Sequence, residues 1–168
     1  YTFREPIGPV VAISAFNHPL NLIAHQVGPA VASGCPVLVK PAKDTPLSCK
    51  SFVEILYEAG LDERWCRFVP CSNDVAEQMV IDSRTAFFSF IGSARVGWML
   101  RSKLAPGTRL ALEHGGAAPV LVDEGVASGK VIPPLLKGGF YHSGQVCVSV
   151  QRVFVPRAEL PDFAAELA

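Results

Sequence analysis

Four chemistry-bearing groups in this chain each stand directly after an apolar run. Asn17 follows PVVAISAF, Lys40 follows PVLV, Gly92-Ser93 follow TAFFSFI, and Glu113 follows the run from Arg109 to Leu112, with Gly115-Gly116 just beyond. A Gly-Ser pair that opens a helix offers backbone N–H groups and a hydroxyl to a phosphate at the positive helix end. Ser93 would serve equally well as a plain helix cap. The fifth group is a thiol. Cys35, Cys49, Cys66 and Cys71 read as small buried hydrophobes, whereas Cys147 follows Gly144-Gln145 in an uncharged loop and reads as a thiol kept for its chemistry. Five cysteines with no regular framework argue against a secreted disulfide scaffold. With His18, His25, His114 and His142 they compose no zinc site, so no metal is expected. The first apolar run is not followed by G-x-G-x-x-G, the usual dinucleotide fingerprint.

These groups need elements to bring them together. Pro9 to Phe16, Pro36 to Val39, Arg67 to Val69, Thr85 to Ile91, Arg109 to Leu112, Pro119 to Val122 and a segment near Val153 to Val155 read as strands. Between them run helix-period segments. Leu20, Ile23, Ala24, Val27, Ala30 and Val31 share one face and stop at Ser33-Gly34. Thr45-Pro46 and Asp74 read as the starts of two further helices, and another follows Gly92-Ser93. Later helices are expected from about Val126 to Gly138 and after Pro161. Strands alternating with helices imply right-handed crossovers and an α/β fold: an open parallel sheet with helices on both faces. In such a sheet ligands bind at the carboxyl ends of the strands, where Asn17, Lys40, Gly92-Ser93 and Glu113 stand.

Composition narrows the function classes. The 168 residues are 49% hydrophobic and 18% charged, below the ~25% usual for globular chains. Fifteen Lys+Arg balance fifteen Asp+Glu, so no basic stripe exists to neutralise phosphates and no nucleic-acid partner is expected. From Pro6 to Val39 there is no Asp, Glu, Lys or Arg, but Asn, His, Gln and Pro interrupt that stretch too often for a membrane span. The chain opens Tyr1-Thr2-Phe3-Arg4 with no targeting pattern. The low charge fraction fits a piece of a larger protein, incomplete at both ends.

Six motifs, taken in order, resemble the aldehyde dehydrogenase superfamily over nearly the whole chain. They are Phe16-Asn17-His18-Pro19-Leu20, Lys40-Pro41-Ala42, Thr45-Pro46-Leu47-Ser48, Ser89-Phe90-Ile91-Gly92-Ser93, Leu112-Glu113-His114-Gly115-Gly116 and Gly144-Gln145-Val146-Cys147. The resemblance implies a Rossmann-like fold and the oxidation of an aldehyde to a carboxylic acid with NAD or NADP. It implies that Cys147 is the nucleophile. Asn17 would donate its amide to the oxyanion, with the backbone N–H of Cys147 as second donor. Glu113, 34 residues before Cys147, would be the base that activates water, and its place between an apolar strand and a Gly-Gly turn predicts partial desolvation. Lys40 would hold the adenine ribose and Ser93 the pyrophosphate, with Pro41 and Gly92 shaping the pocket. Ile13, Phe16, Lys43, Val96, His114 and Gly115 complete the expected cofactor contacts.

Four departures stand out. Lys43 occupies a position where many family members carry a Glu that binds both ribose hydroxyls, which predicts tolerance of, or preference for, NADP. His114, His18 and Ala117 stand where other residues are common. The resemblance covers only the middle of the family's length, predicting a nucleotide-binding core over 1–122 and the start of a catalytic portion over 123–168. It also implies a small-molecule aldehyde as substrate, a cytoplasmic setting and a homo-oligomeric full-length form. Two rival readings are a nucleotide-binding module without catalysis and a CoA-acylating relative, which would not need Glu113 as a water-activating base.

Overall fold

Short β-branched runs become the inner strands because their stiff, branched side chains fit a surface buried on both faces. In the computed structural model, which describes residues 1–168, these are β1 (Val10–Ile13) and β2 (Val37–Lys40). With β3 (Cys66–Phe68), β4 (Phe87–Ile91) and β5 (Arg109–Glu113) they form one parallel sheet in the order β3-β2-β1-β4-β5. This sheet and its helices make up the first of two compact units, residues 1–114; residues 115–168 form the second.

The sheet has the predicted helices on both faces. Alternate residues of each strand point to opposite sides. Val10, Ala12, Val37 and Val39 pack with α1 (Pro19–Ala32) and α2 (Pro46–Glu58) through Ile23, Val27 and Val53. Val11, Phe88 and Phe90 pack on the other side with Val80 of α3 (Asn73–Ile81) and Leu100 of α4 (Ala94–Arg101). Each fully buried Val contributes roughly 1.5–3 kcal/mol of transfer free energy. The helix α1 stops where predicted. Gly34 adopts φ +73°, and the N–H groups of Gly34 and Cys35 turn back onto the carbonyls of Val31 and Ala30. One cap differs from expectation: Ser72, not Asp74, opens α3, its Oγ accepting from the Val75 N–H at 3.4 Å while Asp74 sits in the first turn.

In the second unit β6 (Ala118–Leu121) pairs in parallel with β7 (Val150–Phe154), with α5 (Ser128–Phe140), a 3-10 turn over Tyr141–Gly144, and α6 (Leu160–Leu167). The nucleotide-binding core expected over 1–122 would include the Pro119 strand; the structure divides the chain after His114, because β6 finds its hydrogen-bonding partner in β7 rather than in the five-stranded sheet. No helix is long and apolar enough to cross a membrane.

Candidate active site

Strand register decides which residues share the carboxyl edge of the first unit. Lys40 is level with Ile13, Ile13 with Phe90, and Ile91 with Glu113. Lys40, Ile13, the end of β4 and Glu113 therefore form one row across β2-β1-β4-β5. Three strand spacings separate its ends, roughly 14 Å. Strand order reverses between β1 and β4, the switch point at which open α/β sheets bind ligands. Asn17 follows β1 and Gly92-Ser93 follow β4, so both flank that point.

A residue absent from the sequence reading holds this edge together. Gln26 of α1 is buried, and its Nε2, with one of its two N–H groups shared, donates to the Ile13 carbonyl at 3.2 Å, the Ser89 carbonyl at 3.1 Å and the Ser89 Oγ at 3.0 Å. It thus ties the end of β1 to the middle of β4 across the switch point. A buried glutamine inside an apolar helix face was the available signal. Gln26 also lines a cavity of about 360 Å³ with His25, Pro29, Val10 and Phe87. Val10 and Phe87 begin their strands, so that cavity reaches toward the amino-terminal side, away from the row just described.

Lys40 is the most informative member of the row. It is only 6% exposed, and its ammonium donates to the Pro41 carbonyl at 3.2 Å. An ammonium carries three donors, and a buried charge without a counter-charge is costly. Nearby in sequence, the Thr45 Oγ1 is buried without a partner. A buried cation with spare donors and an orphaned hydroxyl suit a ligand rich in hydroxyl and phosphate oxygens. Lys43, between them, is exposed. At the head of α4, the Ser93 Oγ accepts from the Val96 N–H at 3.4 Å. The cap reading of Ser93 is thus realised, and the backbone N–H groups of that helix start point along its axis as an anion site requires. His114 stacks against Trp98 of α4 with ring centroids 5.3 Å apart. Val96 and Ile13 pack on the Phe88–Phe90 core, while Phe16 is exposed.

β1 stops at Ile13, short of the expected Phe16, so Asn17 lies in the loop beyond the strand, where it is half-buried. Glu113 is exposed rather than desolvated. The reason is its parity on the edge strand: Leu110 and Leu112 turn into the core, leaving Arg109, Ala111 and Glu113 on the outer face.

The second unit carries Cys147, and it is the exposed thiol of the five. Cys35, Cys49 and Cys66 are buried, as read from sequence, and Cys71 is half-buried. Burial pushes the Cys49 thiol up to about 12 and the Cys66 thiol to about 11, so both stay protonated near neutrality. A Cβ on Gly116 would lie 2.2 Å from the Cys147 carbonyl oxygen, so the Cys147 loop passes where only a glycine fits. No group of three or more His, Cys, Asp or Glu is arranged to hold a metal ion.

The profile of the aldehyde dehydrogenase family matches residues 1–168. The chain is 35% identical over 156 residues to the 3-sulfolactaldehyde dehydrogenase of Priestia aryabhattai, covering 92% of this chain and 32% of that protein. Among solved structures, an aldehyde dehydrogenase of Pseudomonas syringae, crystallised as a mutant with NAD+ and octanal, superposes with a TM-score of 0.90 at 32% identity. That match covers 98% of this chain and 34% of the other. The NADP-dependent glyceraldehyde-3-phosphate dehydrogenase of Bacillus halodurans C-125, solved with NADP, gives a TM-score of 0.88 at 32% identity, with coverage of 98% and 34%. The chain therefore spans about a third of the length of the relatives it matches.

Proposed function

This chain belongs to the aldehyde dehydrogenase family, and we propose on that premise that the protein oxidises an aldehyde to a carboxylic acid with NAD+ or NADP+. The observation that carries the reading is the family match over every residue of the chain, with Cys147 as its exposed thiol.

The chemistry follows from what each residue can do. The Cys147 thiolate adds to the aldehyde carbon, forming a C–S bond and placing the electron pair of the C=O bond on oxygen. The Asn17 amide and the Cys147 backbone N–H donate to that oxyanion. NAD+ or NADP+, when bound, would supply the acceptor for the hydride that leaves the carbon. Cys147 then holds the acyl group as a thioester. Glu113 takes a proton from water, whose oxygen adds to the thioester carbon and releases the acid and the thiol. Lys40, Gly92 and Ser93 would hold the cofactor, Lys40 with its spare donors and Ser93 at the start of α4. Ile13, Phe16, Pro41, Val96, His114 and Gly115 would complete its surroundings. No metal enters this scheme.

The test is site-resolved alkylation on the full-length protein, with and without each cofactor. Cys147 is expected to react well ahead of Cys71, with Cys49 and Cys66 silent, and its rate is expected to change when NAD+ or NADP+ is added. Equal reactivity across the cysteines, indifferent to cofactor, would overturn the proposal. Cofactor binding with Cys147 no more reactive than the other cysteines would point to the non-catalytic nucleotide-binding module.

Cofactor choice turns on Lys43. Its exposed ammonium sits in the loop after Lys40 and offers no repulsion to a 2′-phosphate. The protein is expected to use NADP+ at least as well as NAD+. Lys43→Glu is expected to shift the ratio of kcat/KM values about tenfold toward NAD+, the effect of reversing one charge near a phosphate at the surface. An unchanged ratio, or a tenfold preference for NAD+ in the unaltered protein, would sink the argument.

A further inference from the structure

The backbone leading to Cys147 is held in an unusual shape. His142 (φ 50°, ψ 40°), Ser143 (φ 55°, ψ 29°) and Gly144 (φ 75°) are three consecutive residues in the left-handed region. Glycine adopts that region freely, but His142 and Ser143 carry a Cβ that crowds the following carbonyl. Such a run persists only where surrounding contacts over-determine it.

Downstream of the run, one residue turns inward. Cys147 and Val148 are exposed, Val148 at 66%, whereas Ser149 is 2% exposed. Both polar groups of Ser149 bond back onto the loop. Its N–H donates to the Val146 carbonyl at 3.0 Å, and its hydroxyl donates to the Gly144 carbonyl at 2.9 Å. The second bond grips the last residue of the left-handed run. The two together close the chain around Cys147, whose own carbonyl is confined by Gly116.

We propose that Ser149 is a positioning residue for Cys147: its hydroxyl, bonded to the Gly144 carbonyl, holds the strained 142–144 segment in the shape that presents the thiol. The inference rests on the reading of Cys147 as nucleophile. It predicts that Ser149 acts on the reaction rather than on substrate capture, because the loop sets both the direction of the thiol and that of the Cys147 backbone N–H. Small misplacements of reacting groups are felt mainly in the chemical step.

The test uses the full-length protein with Ser149→Ala, Ser149→Thr, and Ser149→Ala combined with Ser143→Gly. The alkylation rate of Cys147 is measured against that of Cys71 in the same sample, together with kcat and KM for an aldehyde. Ser149→Ala is expected to lower both the Cys147 rate and kcat about tenfold, with KM within twofold and Cys71 unchanged. Ser149→Thr keeps the donor and is expected to stay close to the parent. Adding Ser143→Gly to Ser149→Ala is expected to recover most of the loss, because glycine takes the left-handed conformation without needing the grip of Ser149. Full activity in Ser149→Ala would overturn the proposal. So would a loss that Ser143→Gly does not recover. If Ser149→Ala fails to fold, exposing Cys49 and Cys66 to reagent, the threonine variant decides: loss there, in a folded protein, also overturns it. Failure of the underlying reading looks different, since Cys147 in the unaltered protein would then react no faster than Cys71.

Discussion

Replacing Cys147 with alanine in the full-length protein is expected to lower aldehyde oxidation by about four orders of magnitude or more. Removing a covalent nucleophile abolishes the route through an acyl-enzyme and leaves only what binding and oxyanion donors provide. None of the other cysteines can substitute. Cys35, Cys49 and Cys66 are buried, and the last two are held protonated by their surroundings. The measurement is the initial rate of reduced nicotinamide formation, paired with cofactor affinity by direct titration. Affinity is expected to stay within about twofold, because Lys40 and Ser93 lie on the first unit. A residual rate within tenfold of the parent would sink the assignment of Cys147.

Replacing Glu113 with glutamine is expected to separate the two halves of the reaction. Glutamine keeps the shape of the side chain and removes its capacity to take a proton. One equivalent of reduced cofactor should form in a burst, followed by steady turnover slower by about two to three orders of magnitude, the usual contribution of a general base. The acyl group should then be detectable by mass on the Cys147 peptide. Loss of the burst itself would place Glu113 in the first half-reaction and overturn its role as the water base. Restoration of fast turnover by added CoA in the unaltered protein, rather than by water, would favour the acylating rival.

Much of this arrangement was legible in the chain. The apolar runs ending at Val39, Ile91 and Leu112 became strands within a residue or two of their expected limits, and each delivered its polar neighbour to the carboxyl edge. Short, continuous apolar runs bounded by Gly, Pro or a charged residue leave the backbone little alternative to a buried strand. The helix stop at Ser33-Gly34 was equally plain, because Gly34 takes a φ of +73° that few other residues tolerate. Strand Pro119 to Val122 was also visible, yet its partner was not. Local pattern says that a segment is a strand; it does not say which edge will accept its hydrogen bonds, and β6 joined β7.

The sequence by itself determined the α/β class, the parallel sheet, the inventory of reactive groups and the family. All of these depend on residue type, local period or ordered motifs, which are properties of the chain read in one dimension. Tertiary structure alone decided the exposure of Glu113, the burial of the Lys40 ammonium, the tie that Gln26 makes across the switch point, and the grip of Ser149 on Gly144. Strand parity exposes Glu113, packing buries the Lys40 ammonium, residues distant along the chain meet at Gln26, and the path of the loop after α5 brings Ser149 back to Gly144. Such meetings are set by how the apolar faces pack, and no single stretch of sequence contains that information.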